Sequence, residues 1–151
     1  MSPLFAFLHH VAAFTLVAAL AVEFVLIRDQ PSLASARKLQ LADQVFGASS
    51  GIVLAVGLVR VFYLEKGASY YFHSVPFIVK LALFVVIGLI SIYPTLEFLS
   101  WRAALKEGRV PAVAPAKLRT LRRIIHWELA GVVVLILCAA LMARGVGFVG
   151  A

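Results

Sequence analysis

Residues 75–99 read VPFIVKLALFVVIGLISIYPTLEFL, and Lys80 and Glu97 are the two charged side chains in this run. A helix rises about 1.5 Å per residue, so a helix of this length can cross a hydrocarbon core about 30 Å thick. The strands of a membrane barrel alternate apolar and polar side chains, whereas this run is apolar almost throughout. The run therefore predicts a transmembrane helix.

Three further apolar runs, at residues 4–27, 45–64 and 124–149, have the same character. Together the four runs predict an all-α integral membrane protein, a four-helix transmembrane bundle built as a single domain over residues 1–151. The short connections leave no room for a separate domain outside the membrane. We expect the first run to be retained as a helix, because it is longer than the apolar part of a signal peptide.

The composition excludes most other classes of protein. Of the 151 residues, 63% are hydrophobic and 14% are charged, and the mean hydropathy is +1.01. A soluble domain has roughly 45–50% apolar and about 25% charged residues. Cys138 is the sole cysteine, which excludes a disulfide-stabilised secreted fold. We attribute the formal net charge of +7 to loops that face anionic lipid headgroups and expect no binding to nucleic acid.

The basic residues are concentrated in two of the three loops. Residues 28–44 and 100–123 hold ten of the 14 lysines and arginines, whereas residues 65–74 hold Lys66 alone. By the positive-inside rule we expect loops 28–44 and 100–123 to be cytoplasmic and both termini to lie outside the cytoplasm, in a bacterial inner membrane. Residues 70–72 are all aromatic, which is typical of a belt at the outer interface.

Several polar side chains fall within the predicted helices near the outer surface. His9 and His10 lie on the first helix, Arg60 on the second and Lys80 on the third. A charged side chain in the middle of a membrane helix costs roughly 2.5–3.5 kcal/mol on insertion. One explanation is that Arg60 and Lys80 snorkel to the interface. The other is a shared site inside the bundle, because adjacent residues on a helix point about 100° apart and at least one histidine should face the other helices.

These four side chains together suit an acidic, planar and largely apolar ligand. Imidazole is the commonest metal ligand, and one ring nitrogen can bind haem iron axially. Haem also carries two propionates, which require cations such as Arg60, Lys66 and Lys80. We therefore expect His9, His10, Arg60 and Lys80 to bind haem b, with His10 (or His9) as the iron ligand. A porphyrin or a quinone-like molecule would suit the same chemistry.

A second group of polar side chains lies at the cytoplasmic level of the helices. Glu23, His126 and Glu128 are weaker candidates for a metal site or a proton route, and Asp43 and Glu97 lie at the same level. His126 and Glu128 are two residues apart, so on a helix they point about 200° from each other. This spacing differs from the Glu-x-x-His pairs of di-iron bundles.

The simpler interpretation of the inner carboxyl groups is ion pairing at the membrane boundary. Glu97 and Glu128 would each pair with an arginine of loop 100–123. Glu23 would pair with a cation of a neighbouring helix or belong to a proton path. The sequence has no P-loop, C-x-x-C or C-x-x-C-H motif, so nucleotide binding and covalent haem attachment have no support, and catalytic residues stay unknown.

Several stretches carry a resemblance to a known family. They are LHHVAAF at residues 8–14, GLVRVFYLEKGASYY at 57–71, KLALF at 80–84, YPT at 93–95 and RRIIHWEL at 122–129. Over nearly its whole length the chain resembles a family of bacterial membrane proteins known only as domain of unknown function 2214. The arginine-containing stretch at residues 57–71 is the most specific part.

More distantly, the layout is similar to the HemJ-type protoporphyrinogen oxidases and the copper-resistance CopD-like proteins. HemJ-type proteins have four membrane helices, a histidine early in helix one, a helix two rich in glycine and leucine, and a lysine at the start of helix three. The corresponding residues here are His10 (or His9), Gly57 and Lys80. The resemblance implies haem b and oxidation of a porphyrinogen. This chain lacks the histidine that HemJ-type proteins carry late in helix three.

These observations support three hypotheses about function. The first is a haem b-binding redox protein of the HemJ/CopD-like type, which would make the chain a haem-dependent membrane oxidoreductase. The second is a small proton- or metal-handling transporter that uses Glu23, Glu97, Glu128 and His126. The third is a non-catalytic accessory subunit of a membrane complex, and a chain this short is also compatible with a homo-oligomer.

Overall fold

The computed structural model describes residues 2–64 and 66–149, and Glu65 lies outside the described residues. Its helices are α1 (Ser2–Leu26), α2 (Leu33–Val59), α3 (Ala68–Phe72), α4 (Val75–Ser100), α5 (Arg102–Lys106) and α6 (Pro115–Ala143). A π-helical turn, Arg60–Leu64, continues α2. Extended structure in the described residues consists of one isolated bridge between Ser74 and Phe148.

Within the described residues, four segments are long and apolar enough to cross a bilayer. They are Pro3–Leu26, Leu33–Leu64, Val75–Lys106 and Pro115–Ala143. Large apolar side chains such as Phe14, Leu89 and Val133 are exposed on the outside of the bundle, where lipid would cover them. The prediction of an all-α membrane protein with a four-helix bundle is confirmed, while the orientation of the termini and the sidedness of the loops stay predictions.

The helices differ from the predicted runs mainly at their ends. α2 begins at Leu33 rather than at residue 45, and α6 begins at Pro115 rather than at residue 124 and ends at Ala143 rather than at residue 149. Hydropathy marks only the apolar part of each helix. The added first turns of α2 are amphipathic, with Ala36 and Leu39 buried between polar residues. The two basic loops are therefore largely helical.

A capping box explains why α2 begins at Leu33. The Ser32 hydroxyl oxygen accepts a hydrogen bond from the backbone N–H of Ser35 at 3.1 Å, and the Ser35 hydroxyl oxygen accepts one from the backbone N–H of Ser32 at 2.8 Å. These bonds satisfy N–H groups that the start of a helix leaves without partners. α6 begins without a side-chain cap, and Pro115 favours its start because the fixed φ of proline suits the first helical position.

The bundle consists of two antiparallel helix pairs that meet through α1 and α6. α1 packs mainly against α2, and α4 packs mainly against α6. The close approach of α4 and α6 depends on Gly131, where an added Cβ would lie 2.8 Å from Cδ1 of Ile87. A Cβ at this position would require the Ile87 side chain to move.

The main hydrophobic core lies toward the end of the bundle where α1 and α4 end and α2 and α6 begin, which we call the basic end. Leu20, Leu39, Leu121 and Ile125 are fully buried there. Because all four helices contribute to this core, it fixes the bundle.

Hydrogen bonds from arginine side chains to backbone carbonyls join helices at the basic end. Arg122 donates from Nε to the carbonyl oxygen of Ile27 at 2.8 Å, and Arg37 donates from Nη2 to that of Leu105 at 3.2 Å. The acceptors lie at the C-terminal ends of α1 and α5, whose last carbonyls have no partner within the helix.

The opposite end, which we call the cavity end, is less tightly packed. Its apolar core is a small cluster of Val61, Tyr71 and Phe77. The C-terminal segment returns along the start of α4, where it accepts and donates backbone hydrogen bonds. The Val75 N–H donates to the carbonyl of Gly147 at 3.0 Å, and this contact holds the last described residues against the bundle.

Candidate functional site

A cavity of about 410 Å³ lies at the cavity end, between α1, α2, the π-helical turn, α3, α4 and α6. His9, His10, Arg60 and Lys80, the four residues predicted for the outer level, all line it. α1, the π-helical turn and α4 contribute them, so side chains that are distant in sequence face one space. The volume is in the range of about 300–1,000 Å³ that is usual for ligand pockets.

His9 is half-buried against α2 because the residue that faces it is a glycine. A Cβ added to Gly57 would lie 3.2 Å from Cε1 and 3.6 Å from Nδ1 of His9. Nδ1 of His9 is buried and makes no well-aligned hydrogen bond with a described residue, while the ring also interacts with the backbone of Val53 on α2. Buried polar atoms without a partner are rare, and this one belongs to a ring that lines the cavity.

His10 is held by its own helix. Its Nδ1 donates a hydrogen bond to the carbonyl oxygen of Ala6 at 2.6 Å. Because a carbonyl oxygen can only accept, the neutral ring carries its proton on Nδ1 and keeps a lone pair on Nε2. Histidines that bind a metal through Nε2 have the same tautomer. The ring centroids of His9 and His10 are 6.1 Å apart, and the ring planes are at 88°.

Three cations approach the cavity from separate elements. Arg60 begins the π-helical turn, Lys80 lies half-buried on α4, and Lys66 precedes α3. The Lys66 ammonium group lies 4.4 Å from the centroid of the Tyr70 ring and 3.4 Å from its hydroxyl oxygen, a cation–π arrangement. Single π-helical turns are rare and occur frequently at functional sites, and this one places Arg60 beside the cavity.

The remaining walls of the cavity are apolar or aromatic. α2 contributes Leu54 and Leu58, α4 contributes Leu81 and Phe84, and α6 contributes Met142. A ligand with a broad apolar surface would therefore contact side chains from three of the four long helices.

The aromatic residues at 70–72 do not behave as one interfacial belt. Tyr70 and Tyr71 line the cavity, and Tyr71 is only 8% exposed, whereas Phe72 is exposed. The ring of Tyr71 packs against that of Phe77 at 5.4 Å, and the ring of Tyr70 stacks on that of Phe148 at 4.7 Å. The prediction of a belt is therefore wrong for Tyr71, because α3 turns this side chain inward.

The polar residues toward the basic end form two separate groups. Glu23 and Glu128 are each 1% exposed, Asp43 is 5% exposed, and their charges are close enough to interact. His126 is exposed and lies in a basic groove beside Phe24, with the two ring centroids 6.2 Å apart. The structure thus brings Glu23 and Glu128 together but not His126, which the two-residue spacing on α6 directs elsewhere.

The predicted ion pairs of Glu97 and Glu128 with arginines are wrong. Glu97 pairs with Lys117 at 3.0 Å and accepts a hydrogen bond from Nε1 of Trp101 at 3.1 Å. Glu128 forms no ion pair with any described residue, and its buried Oε1 has no hydrogen-bond partner there. The early start of α6 brings Lys117 to Glu97, while Arg122 turns to the end of α1. Within residues 2–64 and 66–149, no group of three His, Cys, Asp or Glu could hold a metal ion.

Sequence analysis missed two contributors to these sites. The first is Gly57 as the contact surface for His9, which an antiparallel register between the first two helices could have indicated. The second is Thr95, whose hydroxyl donates to Oδ1 of Asp43 at 2.7 Å. No sequence signal joins these two residues, since they lie 52 positions apart on two different helices.

Residues 47–51, GASSG, match the G-x-S-x-G pattern of hydrolase nucleophiles. That motif requires a sharp turn between a strand and a helix, whereas Ser49 lies inside the continuous helix α2 and is buried. The match therefore does not indicate a nucleophile.

Residues 1–147 match the model of a family described as predicted membrane protein (DUF2214). The chain belongs to this family. Comparisons with curated proteins and with solved structures gave no match. The more distant similarity to HemJ-type and CopD-like proteins stays a prediction.

Proposed function

We propose that this membrane protein binds a haem b-type cofactor in the cavity lined by His9, His10, Arg60 and Lys80, and that it takes part in membrane redox chemistry. The observation that carries the proposal is the combination of two imidazoles and three cations around one otherwise apolar space. In this proposal the basic end faces the cytoplasm of a bacterial cell and the cavity lies near the opposite membrane surface.

The two histidines are better suited to bind haem iron axially than to form a metal site from protein side chains alone. His10 keeps a lone pair on Nε2 because its Nδ1 donates to Ala6, and His9 has a buried Nδ1 that makes no well-aligned hydrogen bond with a described residue. The porphyrin of haem supplies four nitrogen ligands, so the protein needs to supply only an axial one. Haem, when bound, would supply one-electron redox chemistry.

The cations and the apolar walls fit the two remaining parts of such a cofactor. Arg60, Lys66 and Lys80 are suited to bind carboxylates, because hydrogen bonds between ionised groups are the stronger ones. Leucine and phenylalanine side chains of α2 and α4 would cover the porphyrin faces. A free porphyrin or a quinone-like molecule would use the same walls and would not need the histidines.

Absorbance spectroscopy tests the proposal. The full chain purified in detergent and supplied with hemin should show a Soret band that shifts on binding, and the His9→Ala/His10→Ala double variant should lose the shift. His73→Ala is the matched control, because His73 makes the same Nδ1 hydrogen bond, to Ser69 at 2.6 Å, but does not line the cavity.

Two outcomes would overturn the proposal. One is that the wild-type protein does not shift the Soret band of hemin. The other is that the double variant shifts it as much as the wild type does. Binding of iron-free protoporphyrin that survives the double variant and fails in Lys80→Gln would instead assign the cavity to a porphyrin held by its carboxylates.

A further inference from the structure

Three carboxyl groups lie inside the bundle toward the basic end, and the proposed function does not use them. Glu23 of α1 and Glu128 of α6 are each 1% exposed, and Asp43 of α2 is 5% exposed. Their charges are close enough to interact, and we call the three residues the carboxyl cluster. Glu23 is 14 residues from His9, about 21 Å along α1, so the cluster is separate from the cavity.

The hydrogen bonding of the carboxyl cluster is incomplete. Oε1 of Glu23 and Oε1 of Glu128 are both buried, and neither has a hydrogen-bond partner among the described residues. Asp43 differs, because its Oδ1 accepts the hydroxyl of Thr95 from α4 at 2.7 Å. Folded proteins pair nearly all buried polar atoms, so the two glutamates point to a ligand that the described side chains do not supply.

No basic side chain among the described residues neutralises the carboxyl cluster. The groups that face it from α1, α2, α4 and α6 are its own three carboxyls and the hydroxyl of Thr95. Two cations of the basic end are bonded elsewhere: Lys117 pairs with Glu97, and Arg122 donates to the carbonyl of Ile27.

Three neighbouring carboxylates without a cation would be strongly unfavourable in this environment. Each charge would lose its hydration, and like charges repel strongly where the dielectric constant is low. A metal ion is a poor solution, because no group of three His, Cys, Asp or Glu in the described part of the chain could hold one. A proton needs one oxygen only and removes the charge outright.

We propose that the carboxyl cluster is a proton-binding site, in which Glu23 and Glu128 are neutral carboxylic acids and Asp43 is the ionised partner. The bond from Thr95 supports the assignment of Asp43, because a hydroxyl donor strengthens its interaction with an ionised oxygen. A protonated glutamic acid carries an O–H group that can donate a hydrogen bond. The two buried oxygens without partners belong to Glu23 and Glu128, the two residues that we assign as protonated.

Infrared spectroscopy of the full chain in lipid nanodiscs tests this proposal, because a protonated carboxyl group has a C=O stretching band that a carboxylate lacks. We expect such a band at neutral pH, a shift of it on exchange into D₂O, and a decrease of it at alkaline pH. Glu23→Gln and Glu128→Gln should each remove part of the band, and the double variant should abolish it. Asp43→Asn should leave a protonated band in place.

Glu97→Gln is the matched control. Glu97 lies on a membrane helix but is paired with Lys117, so its loss should not change the band. Absence of the band from the wild-type protein at neutral pH, or an unchanged band in the double variant, would overturn the proposal. Circular dichroism and gel filtration check that each variant folds, and the D₂O shift and pH titration of the wild type decide the question if a variant does not. No step requires haem, so the result is independent of the proposed function.

Discussion

The cavity and the carboxyl cluster lie on the same pair of helices but are built differently. His9 and Glu23 are 14 residues apart on α1, and Gly57 and Asp43 are 14 residues apart on α2. Fourteen residues make almost four helical turns, so both pairs lie along one α1–α2 contact. The His9 ring lies 3.2 Å from where a Cβ of residue 57 would be, and Glu23 interacts electrostatically with Asp43.

The surroundings of each site explain the difference. At the cavity end Gly57 supplies no side chain, and the space between the helices is a cavity of about 410 Å³. At the basic end Leu20, Leu39 and Leu121 are fully buried around the helix contacts. One helix pair therefore forms a space large enough for an extended ligand at one end and an enclosed group of acids at the other.

The largest expected effect tests whether the two ends differ in packing. Phe98 is 1% exposed in the main core, whereas Leu58 lines the cavity and is 37% exposed. Phe98→Ala should lower the free energy of unfolding by about 3–5 kcal/mol, and Leu58→Ala should lower it by less than about 1 kcal/mol. Unfolding in mixed detergent micelles, followed by circular dichroism, measures both, and equal losses would contradict the comparison.

A smaller effect tests the role of the glycine in the cavity. Because a Cβ at Gly57 already comes within 3.2 Å of His9, Gly57→Leu should displace the imidazole and weaken hemin binding by about tenfold or more, which corresponds to about 1.4 kcal/mol. Gly51→Leu is the control, since an added Cβ there meets nothing within 4 Å. If both variants bind hemin with the same affinity, the position of the His9 ring against Gly57 does not affect binding.

The smallest effect concerns the paired acid at the basic end. Lys117 is half-exposed where it pairs with Glu97, and exposed ion pairs contribute about 0–1 kcal/mol. Lys117→Ala should therefore shift the unfolding transition no more than Lys106→Ala, the exposed reference, does. A much larger loss in the same unfolding assay would mean that the pairing of Glu97 is structurally essential, unlike the usual surface pair.

The four helices and the depth of the cavity residues could be predicted, because a bilayer strongly restricts both the length of a spanning helix and the positions of its polar side chains. Any polar side chain in a long apolar run requires a reason, which groups His9, His10, Arg60 and Lys80 by depth before any contact is known. The structure then places all four at one cavity. What they bind stays a prediction, since depth and residue type do not identify a ligand.

The remaining features depend on contacts that hydropathy does not register. The start of α2 depends on two serines, Ser32 and Ser35, whose side chains act only through local hydrogen bonds. The bond between Thr95 and Asp43 joins residues 52 positions apart. Glu128 lacks the predicted ion pair with an arginine among the described residues because of how α6 is rotated. The arginines that precede it in sequence therefore led to a wrong prediction.

A π-helical turn contains one residue more than an α-helical turn spans, so the segment Arg60–Leu64 can be shortened by one residue without separating α2 from α3. Such a deletion would restore a regular α-helical turn, and the side chains on either side would keep their faces because the wide turn absorbs the extra residue. A homologue with this shorter segment would therefore keep its arginine on the face of Arg60 and would have a narrower turn beside the cavity.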